Sequence, residues 1–279
     1  MREVLVPFSG KVNAVMMLEA AFRFAQEHDA HLTCLHLLKD PDALVTSFDE
    51  MSLYAPGGAR DEVARSAQKN LQQAKRSFSA VAEYMGVETG SGKKAEFIHE
   101  TAGFEQAIAR HGRLSDIIFM RQTGEDKTPE QDIAMHAALF DTGRPVMVVP
   151  ERKITSFTNH VAIAWSDSRE SALALRHAMP LLKKAKRVTV IIGNKNTKAA
   201  NELSQPVLRY LSQHGIKAKH EAIVTGADIE ASLLRRCHEI GADLLVMGAF
   251  SHHRIRQFVL GGMTRYMLEH ADIPLFMAH

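Results

Sequence analysis

The sequence predicts an α/β protein that contains the same arrangement twice, each time as a parallel β-sheet with helices on both faces. Short apolar segments rich in Val, Ile and Leu alternate with longer amphipathic segments, which is the pattern of strands joined by crossover helices. Their order repeats along the 279 residues, with five apolar segments in each half. Right-handed crossovers between parallel strands place helices on both faces of each sheet.

The first half opens with a buried strand at 3–8, followed by a helix over 13–28 on which Ala14, Leu18 and Phe22 share one stripe. A polar segment that contains Pro and Gly interrupts the pattern at 40–60, as expected of an insertion. The remaining elements are predicted as strands at 32–38, 94–98, 116–120 and 145–149, and as helices at about 61–85, 103–111 and 131–140.

A short polar connection at 151–159 precedes the second half, in which the order of elements begins again. Ser168 and Asp228 stand at the start of amphipathic segments, and both residue types commonly cap helix N-termini. The elements of this half are predicted as strands at 160–165, 187–192, 219–224, 242–247 and 274–278, and as helices at 168–183, 198–214, 228–240 and 262–270.

Matching positions indicate that the two halves arose by duplication: Val4 with Val161, Asp116 with Asp243, and Pro145 with Pro274. The offset between the halves falls from 157 residues at the first pair to 127 and 129 at the others. The insertion and the longer helix of the first half account for most of this fall. We therefore expect two domains, 1–150 and 157–279.

The composition is that of an ordinary globular protein, with 46% apolar and 24% charged residues. No apolar segment approaches the length that spans a membrane, and residues 1–7 begin a strand rather than a secretion signal. The two cysteines, Cys34 and Cys237, lie in different halves, which fits a reducing compartment. We therefore expect a cytoplasmic protein with no membrane partner.

Charge is divided unevenly between the halves. Residues 1–150 carry a net charge of −5 and residues 151–279 a net charge of +7. A basic half suits an anionic ligand, although ordinary surface variation produces such differences too. The sequence has no stripe of Lys and Arg with interleaved aromatic residues, so nucleic acid is not expected as a partner.

A glycine-rich segment near the end of the sequence predicts a phosphate-binding loop. An apolar strand runs into Gly248, and Gly261 and Gly262 open a helix with Thr264 in its first turn. Free backbone amides at a helix N-terminus favour phosphate, and glycine lets the backbone approach an anion closely. In a parallel sheet this loop would lie beside Ser166, beyond the carboxyl ends of the strands. The alternative is that the glycines serve only tight turns.

With these segments, essentially the whole chain resembles a tandem universal stress protein. The segments that carry the resemblance are VLVPFSG at 4–10, VAIAWSDS at 161–168, LLVMG at 244–248 and HADIPL at 270–275. The resemblance implies two flavodoxin-like (adenine nucleotide alpha hydrolase-like) domains that form an internal pseudo-dimer. The closing strands at 145–149 and 274–278 would pair so that neither edge stays open. A homodimer of the whole chain is compatible with this arrangement.

ATP-binding members of that family carry Gly-x-x-Gly, nine further residues, and a Gly followed by Ser or Thr. The spacing is kept here, but Ser251 stands in place of the second glycine and Gly262 in place of the hydroxyl residue. Thr264 supplies a hydroxyl two positions later. Members commonly have Asp directly after the first strand, whereas here Ser166 takes that place and Asp167 follows it.

The resemblance therefore implies that the second half binds ATP or a related adenine nucleotide, with or without Mg²⁺. Adenine would lie near Ala164 and Asp167, and the phosphates would contact backbone amides and the hydroxyl of Thr264. The expected binding residues are Ala164, Ser166, Asp167, Met247, Gly248, Ser251, His252, Arg254, Gly261, Gly262, Met263 and Thr264.

The first half is not expected to bind a nucleotide. After Met120 the corresponding loop has a single glycine, Gly124, and four acidic residues between 121 and 132. Carboxylates in this loop would repel phosphate.

The sequence gives little support to other chemistry. The pairs His252 with His253 and Cys237 with His238 lack the further ligands that a zinc site needs, so no metal site is expected. His36 lies in an apolar strand and is expected to be an interior histidine. No Ser lies in a nucleophile-elbow motif and no base dedicated to ATP hydrolysis is recognisable. We expect no catalytic residue and at most a slow ATPase.

Three functions are compatible with these expectations. The first is a cytoplasmic stress-response protein that uses an adenine nucleotide as a sensor or switch. The second is a regulatory or scaffold protein that acts through an unidentified protein partner and binds no nucleotide. The third is an adenylyl-transferring enzyme, although the additional reactive motif that it needs is absent from the sequence.

Overall fold

The computed structural model describes residues 1–38, 59–122, 128–194, 196–224, 228–250 and 262–279. Contacts divide the chain into two compact units, Met1–Phe119 with Pro129–Thr142, and Met120–Thr128 with Gly143–His279. Strands alternate with helices in both units, so the predicted α/β class is confirmed. None of the helices in the described ranges is long and apolar enough to cross a membrane.

The first unit is a parallel sheet with its crossover helices. The strands are β1 (Glu3–Pro7), β2 (His31–Leu38), β3 (Ala95–Thr101) and β4 (Ile117–Arg121), of which the last two residues are assigned to the second unit. The helices are α1 (Val15–His28), α2 (Ala59–Tyr84), α3 (Phe104–Gly112) and α4 (Pro129–Phe140). The strand order is β3-β2-β1-β4, with parallel neighbours throughout. Most of the predicted insertion at 40–60 lies outside the described residues.

The second unit contains the remaining elements. The strands are β5 (Val146–Val149), β6 (His160–Ala164), β7 (Arg187–Asn194), β8 (Ala218–Val224), β9 (Leu244–Gly248) and β10 (Leu275–Ala278). The helices are α5 (Arg169–Leu182), α6 (Thr197–Gln213), α7 (Ile229–Glu239) and α8 (Gly262–His270). The strand order is β5-β10-β9-β6-β7-β8. From β6 the chain therefore adds β7 and β8 on one side, and then β9 and β10 on the other side.

The closing strands of the two halves pair with each other. β5 and β10 run antiparallel, with Met147 opposite Phe276, and every residue of both strands is buried. Burial on both faces explains why these strands are uninterrupted apolar runs. The pairing places β5 in the second compact unit, whereas the sequence boundary at 150 assigns it to the first half. The boundaries 1–150 and 157–279 thus describe the predicted sequence repeat, and they stay a prediction.

One contact holds the start of the first strand in the same way in both units. Asp116 accepts a hydrogen bond from the backbone amide of Glu3, at 3.2 Å. Asp243 accepts the equivalent hydrogen bond from the amide of His160, at 2.9 Å. Asp116 and Asp243 are 127 residues apart, and Glu3 and His160 are 157 apart, which are the offsets between the two halves. The halves therefore share a side-chain contact as well as an order of elements.

The two predicted helix caps differ in their outcome. Ser168 precedes α5 with extended backbone (ψ 162°), and its hydroxyl accepts a hydrogen bond from the Ser171 amide as part of a reciprocal capping box. Asp228 precedes α7, but its side chain makes no capping hydrogen bond. Its ψ of 65° departs from the extended conformation that aims an N-cap side chain at the helix amides. Asp228 therefore stands at the N-cap position as predicted, but the prediction that its side chain caps the helix is wrong.

Candidate functional site

The strands that approach the candidate site are β6 and β9 of the second unit. They are parallel neighbours, with Ala164 opposite Met247 at their carboxyl ends. The strand order reverses between them, and this is the position at which open α/β sheets bind ligands. The predicted site residues that follow β6 and β9 are thereby brought to one end of one sheet.

The turn after β6 presents polar groups. Ser166 and Asp167 are exposed, and Asp167 has a left-handed backbone with φ of 54°. The hydroxyl of Ser166 lies 3.1 Å from that of Ser168, the residue that caps α5. The Ser171 amide in the first turn of α5 is thus bound by the cap, while Asp167 is exposed to solvent.

Gly248 is required for packing. A Cβ built on Gly248 would lie 2.6 Å from the backbone nitrogen of Ser171 and 2.7 Å from the carbonyl carbon of Glu170. Any larger residue would therefore collide with backbone in the first turn of α5. The neighbouring Met247 is 3% exposed, so its side chain belongs to the core. Both residues can reach a ligand only through their backbone groups.

Thr264 ties the loop after β9 to the helix α8. Its hydroxyl accepts a hydrogen bond from the backbone amide of Phe250, at 3.1 Å, and the residue is 3% exposed. Phe250 itself has a left-handed φ of 61°, which is uncommon for a bulky residue. The sequence suggested Thr264 as a phosphate contact, and it did not indicate this structural role.

The N-terminus of α8 lies beside a carboxylate. Gly262, the first residue of the helix, is exposed and Met263 is half-buried. A Cβ built on Gly262 would lie 3.4 Å from Oε1 of Glu230, which belongs to the first turn of α7. Sequence reasoning missed Glu230, because nothing in its local pattern indicates which helix end it approaches.

Four of the predicted binding residues lie outside the described residues. They are Ser251, His252, Arg254 and Gly261. Their part in the site therefore stays a prediction from the sequence.

Neither cysteine has the character of a reactive thiol. Both are buried and free. Burial raises the pKa of the Cys34 thiol well above its usual range, and burial together with the charge of Asp272 raises the pKa of Cys237 to about 12. Both cysteines are therefore core residues. Within the described ranges, no group of three His, Cys, Asp or Glu side chains could hold a metal ion.

The corresponding turn of the first unit is covered by a helix. Gly10 has a left-handed φ of 77°, and a Cβ there would lie 2.7 Å from the Cβ of Ala74 in α2. His36 is 3% exposed and its Nδ1 donates to the carbonyl oxygen of Phe8, at 2.8 Å. The prediction of an interior His36 is confirmed, and burial is the main cause that lowers its pKa.

One family of known sequences matches the second half of the chain. Residues 158–279 match the family model of the universal stress protein family. Universal stress protein Slr1230 of Synechocystis sp. is 27% identical over 165 residues, which cover 57% of this chain and 56% of the relative. The chain thus spans little more than half the length of that curated relative.

Solved structures match the whole chain in fold. A universal stress protein from Archaeoglobus fulgidus is 17% identical, with 99% of this chain and 97% of that chain covered and a TM-score of 0.69. A functionally unknown protein from Pseudomonas aeruginosa is 13% identical, with 100% and 92% covered and a TM-score of 0.59.

The fold and the position of the candidate site define an α/β protein of the class that places ligands at a switch point of a parallel sheet. Through residues 158–279, the chain is similar to the universal stress protein family, and its fold is that of solved structures of this family.

Proposed function

We propose that the second half of the chain binds an adenine nucleotide beyond the carboxyl ends of β6 and β9, and that this cytoplasmic protein uses the nucleotide as a sensor or switch in a stress response. The observation that carries the proposal is the reversal of strand order between β6 and β9, with exposed polar residues directly after β6. The net charge of +7 in this half supports an anionic ligand.

The proposed site has a base end and a phosphate end. At the base end, Asp167 would accept a hydrogen bond from the ribose or the base beside Ala164. At the phosphate end, backbone amides at the start of α8 would bind the anion, because a helix N-terminus offers unpaired donors. Ser251, His252, Arg254 and Gly261 would add contacts from the loop outside the described residues.

Two other residues of the motif would shape the site without touching the ligand through their side chains. Gly248 lets β9 pack against the first turn of α5, and Thr264 holds the amide of Phe250. They would help to set the distance between the base end and the phosphate end.

ATP, with or without Mg²⁺, is the first candidate ligand. Since no described cluster of acidic or histidine side chains could hold a metal ion by itself, Mg²⁺ would enter bound to phosphate oxygens. The proposal includes no catalytic step, and a protein partner would respond to the nucleotide-bound state.

Isothermal titration calorimetry with adenosine, AMP and ATP tests this proposal. Replacing the carboxylate in Asp167→Asn should weaken binding of all three ligands about tenfold, or about 1.4 kcal/mol, because all three share the adenosine group. Asn tolerates the left-handed backbone at this position. The matched control is Asp29→Asn in the first unit, where Asp29 is also left-handed, with φ of 49°. This control should leave nucleotide binding unchanged.

The second candidate function is a regulatory or scaffold protein without nucleotide. It is favoured by the structural roles of Gly248 and Thr264, which account for both residues in the absence of any ligand. A ligand selective for the folded state must raise the melting temperature. If millimolar ATP neither shifts that temperature nor releases heat of binding, the scaffold function replaces the nucleotide proposal.

A further inference from the structure

The first turn of α7 places a carboxylate beside the N-terminus of α8. The 3.4 Å between Oε1 of Glu230 and the Cβ position of Gly262 puts this oxygen within about 5 Å of the Gly262 Cα, given the length of a Cα–C bond. Glu230 is half-buried, and no cation of the described residues pairs with it. Among the described residues, its negative charge therefore has no side-chain counter-ion at this helix end.

A carboxylate at this position affects the binding of a second anion. The N-terminus of a helix carries a partial positive charge that attracts anions, and Glu230 already occupies part of that field. A phosphate that approaches Gly262 meets like-charge repulsion from the carboxylate. Because Glu230 is only half exposed, solvent and salt screen this repulsion less than they would on an open surface.

We infer that Glu230 is a specificity-determining residue that weakens the binding of free polyphosphates at α8. This inference rests on the proposed function and deepens it. The second half selects nucleotides whose phosphate charge near Gly262 is small, as in AMP, or neutralised by a divalent cation. Adenosine, which carries no phosphate, is unaffected by Glu230.

Calorimetric titration of the full chain with adenosine, AMP, ADP and ATP in buffer with EDTA tests the inference. Replacing the charge in Glu230→Gln should strengthen binding of free ATP about tenfold, with a smaller gain for ADP, a still smaller one for AMP, and none for adenosine. The matched control is Glu105→Gln, which removes an exposed carboxylate from the first turn of α3 in the first unit. It should change none of the four affinities.

A second set of titrations in Mg²⁺ separates repulsion from metal ligation. The native protein should bind ATP more tightly with Mg²⁺ than with EDTA, and Glu230→Gln should remove most of that difference. If Glu230 instead ligates the metal, Glu230→Gln weakens binding of the Mg²⁺ complex and leaves free ATP unchanged. That result overturns the inference.

The outcomes separate the inference from the function on which it rests. If adenosine binds but Glu230→Gln has no effect on ATP, the inference fails and the proposed function stands. If no nucleotide binds the native protein or either variant, both fail. If only Glu230→Gln binds ATP, the inference stands and the native chain has lost the proposed function. The variant Glu230→Lys repeats the test with a larger charge change, and the melting temperature of each ligand-free variant verifies folding.

Discussion

Gly10 and Asp167 occupy matching positions after the first strand of each half, and both have a left-handed backbone, with φ of 77° and 54°. In the first unit, α2 packs Ala74 against this turn. In the second unit, the side chain of Asp167 is exposed. The same turn is therefore covered in one half and open in the other, which supports the expectation that only the second half binds nucleotide.

Gly248 should be intolerant of any side chain. Gly248→Ala places a Cβ 2.6 Å from the backbone of Ser171, and overpacking of this kind lowers the free energy of unfolding by about 1–3 kcal/mol. Urea denaturation of the ligand-free protein measures the loss. In the matched variant Gly262→Ala, the one described group near the new Cβ is the end of the flexible Glu230 side chain, at 3.4 Å. An equal loss in both variants would contradict this role of Gly248.

Thr264 should stabilise the protein without ligand. Thr264→Val removes the hydroxyl that accepts from the half-buried Phe250 amide, and the loss of this hydrogen bond should cost about 0.5–1.5 kcal/mol. Thr264→Ser keeps the hydroxyl and should retain most of the protection of the Phe250 amide. Hydrogen exchange of that amide distinguishes the two variants. Equal protection in native protein and Thr264→Val would show that the hydrogen bond contributes nothing.

The sequence was sufficient for the α/β class and the repeated order of elements, because periodicity and turn residues are local signals. The pairing of β5 with β10 joins distant segments, and it was expected only from the resemblance to universal stress proteins. It also identified Ser168 as a cap. It could not separate a packing role from a ligand role at Gly248, because that distinction depends on which helix lies over the glycine. For the same reason, it could not reveal that Glu230 lies close to Gly262. The two residues belong to different helices, which the tertiary structure brings together.

His36 should make the fold sensitive to acid. Its pKa is lowered mainly by burial, with a contribution from the charge of His99. Since the folded state disfavours the protonated ring, this contribution to stability is present above the ordinary pKa of 6.5 and is lost as the pH falls below it. An NMR titration of the folded protein should place the pKa of His36 below 6.5. His99→Gln should move it upward, and a midpoint above 6.5 in the native protein would refute the assignment.

Cys237 should be unreactive in the folded protein. Burial raises its pKa from 9.0 to about 12, so the thiolate that alkylating agents attack is scarce at neutral pH. A raised thiol pKa also means that stability is lost as the pH rises above about 9, because the unfolded chain releases the proton first. Iodoacetamide should label the thiol only after denaturation. Cys237→Ala should reduce the alkaline part of the pH dependence and leave the part due to Cys34, whose pKa is also raised by burial. Rapid labelling of Cys237 in the native protein would count against a buried thiol.

The antiparallel pairing of β5 with β10 has a practical consequence for dissecting the chain. A fragment that begins at residue 157, where the repeat begins in sequence, removes the partner of β10 and uncovers a fully apolar strand. Bare strands of this kind recruit other strands, so such a fragment is expected to self-associate. A fragment that begins at Gly143 keeps β5 as the partner of β10. Recombinant expression of the second repeat therefore requires a strand that belongs to the first repeat in sequence.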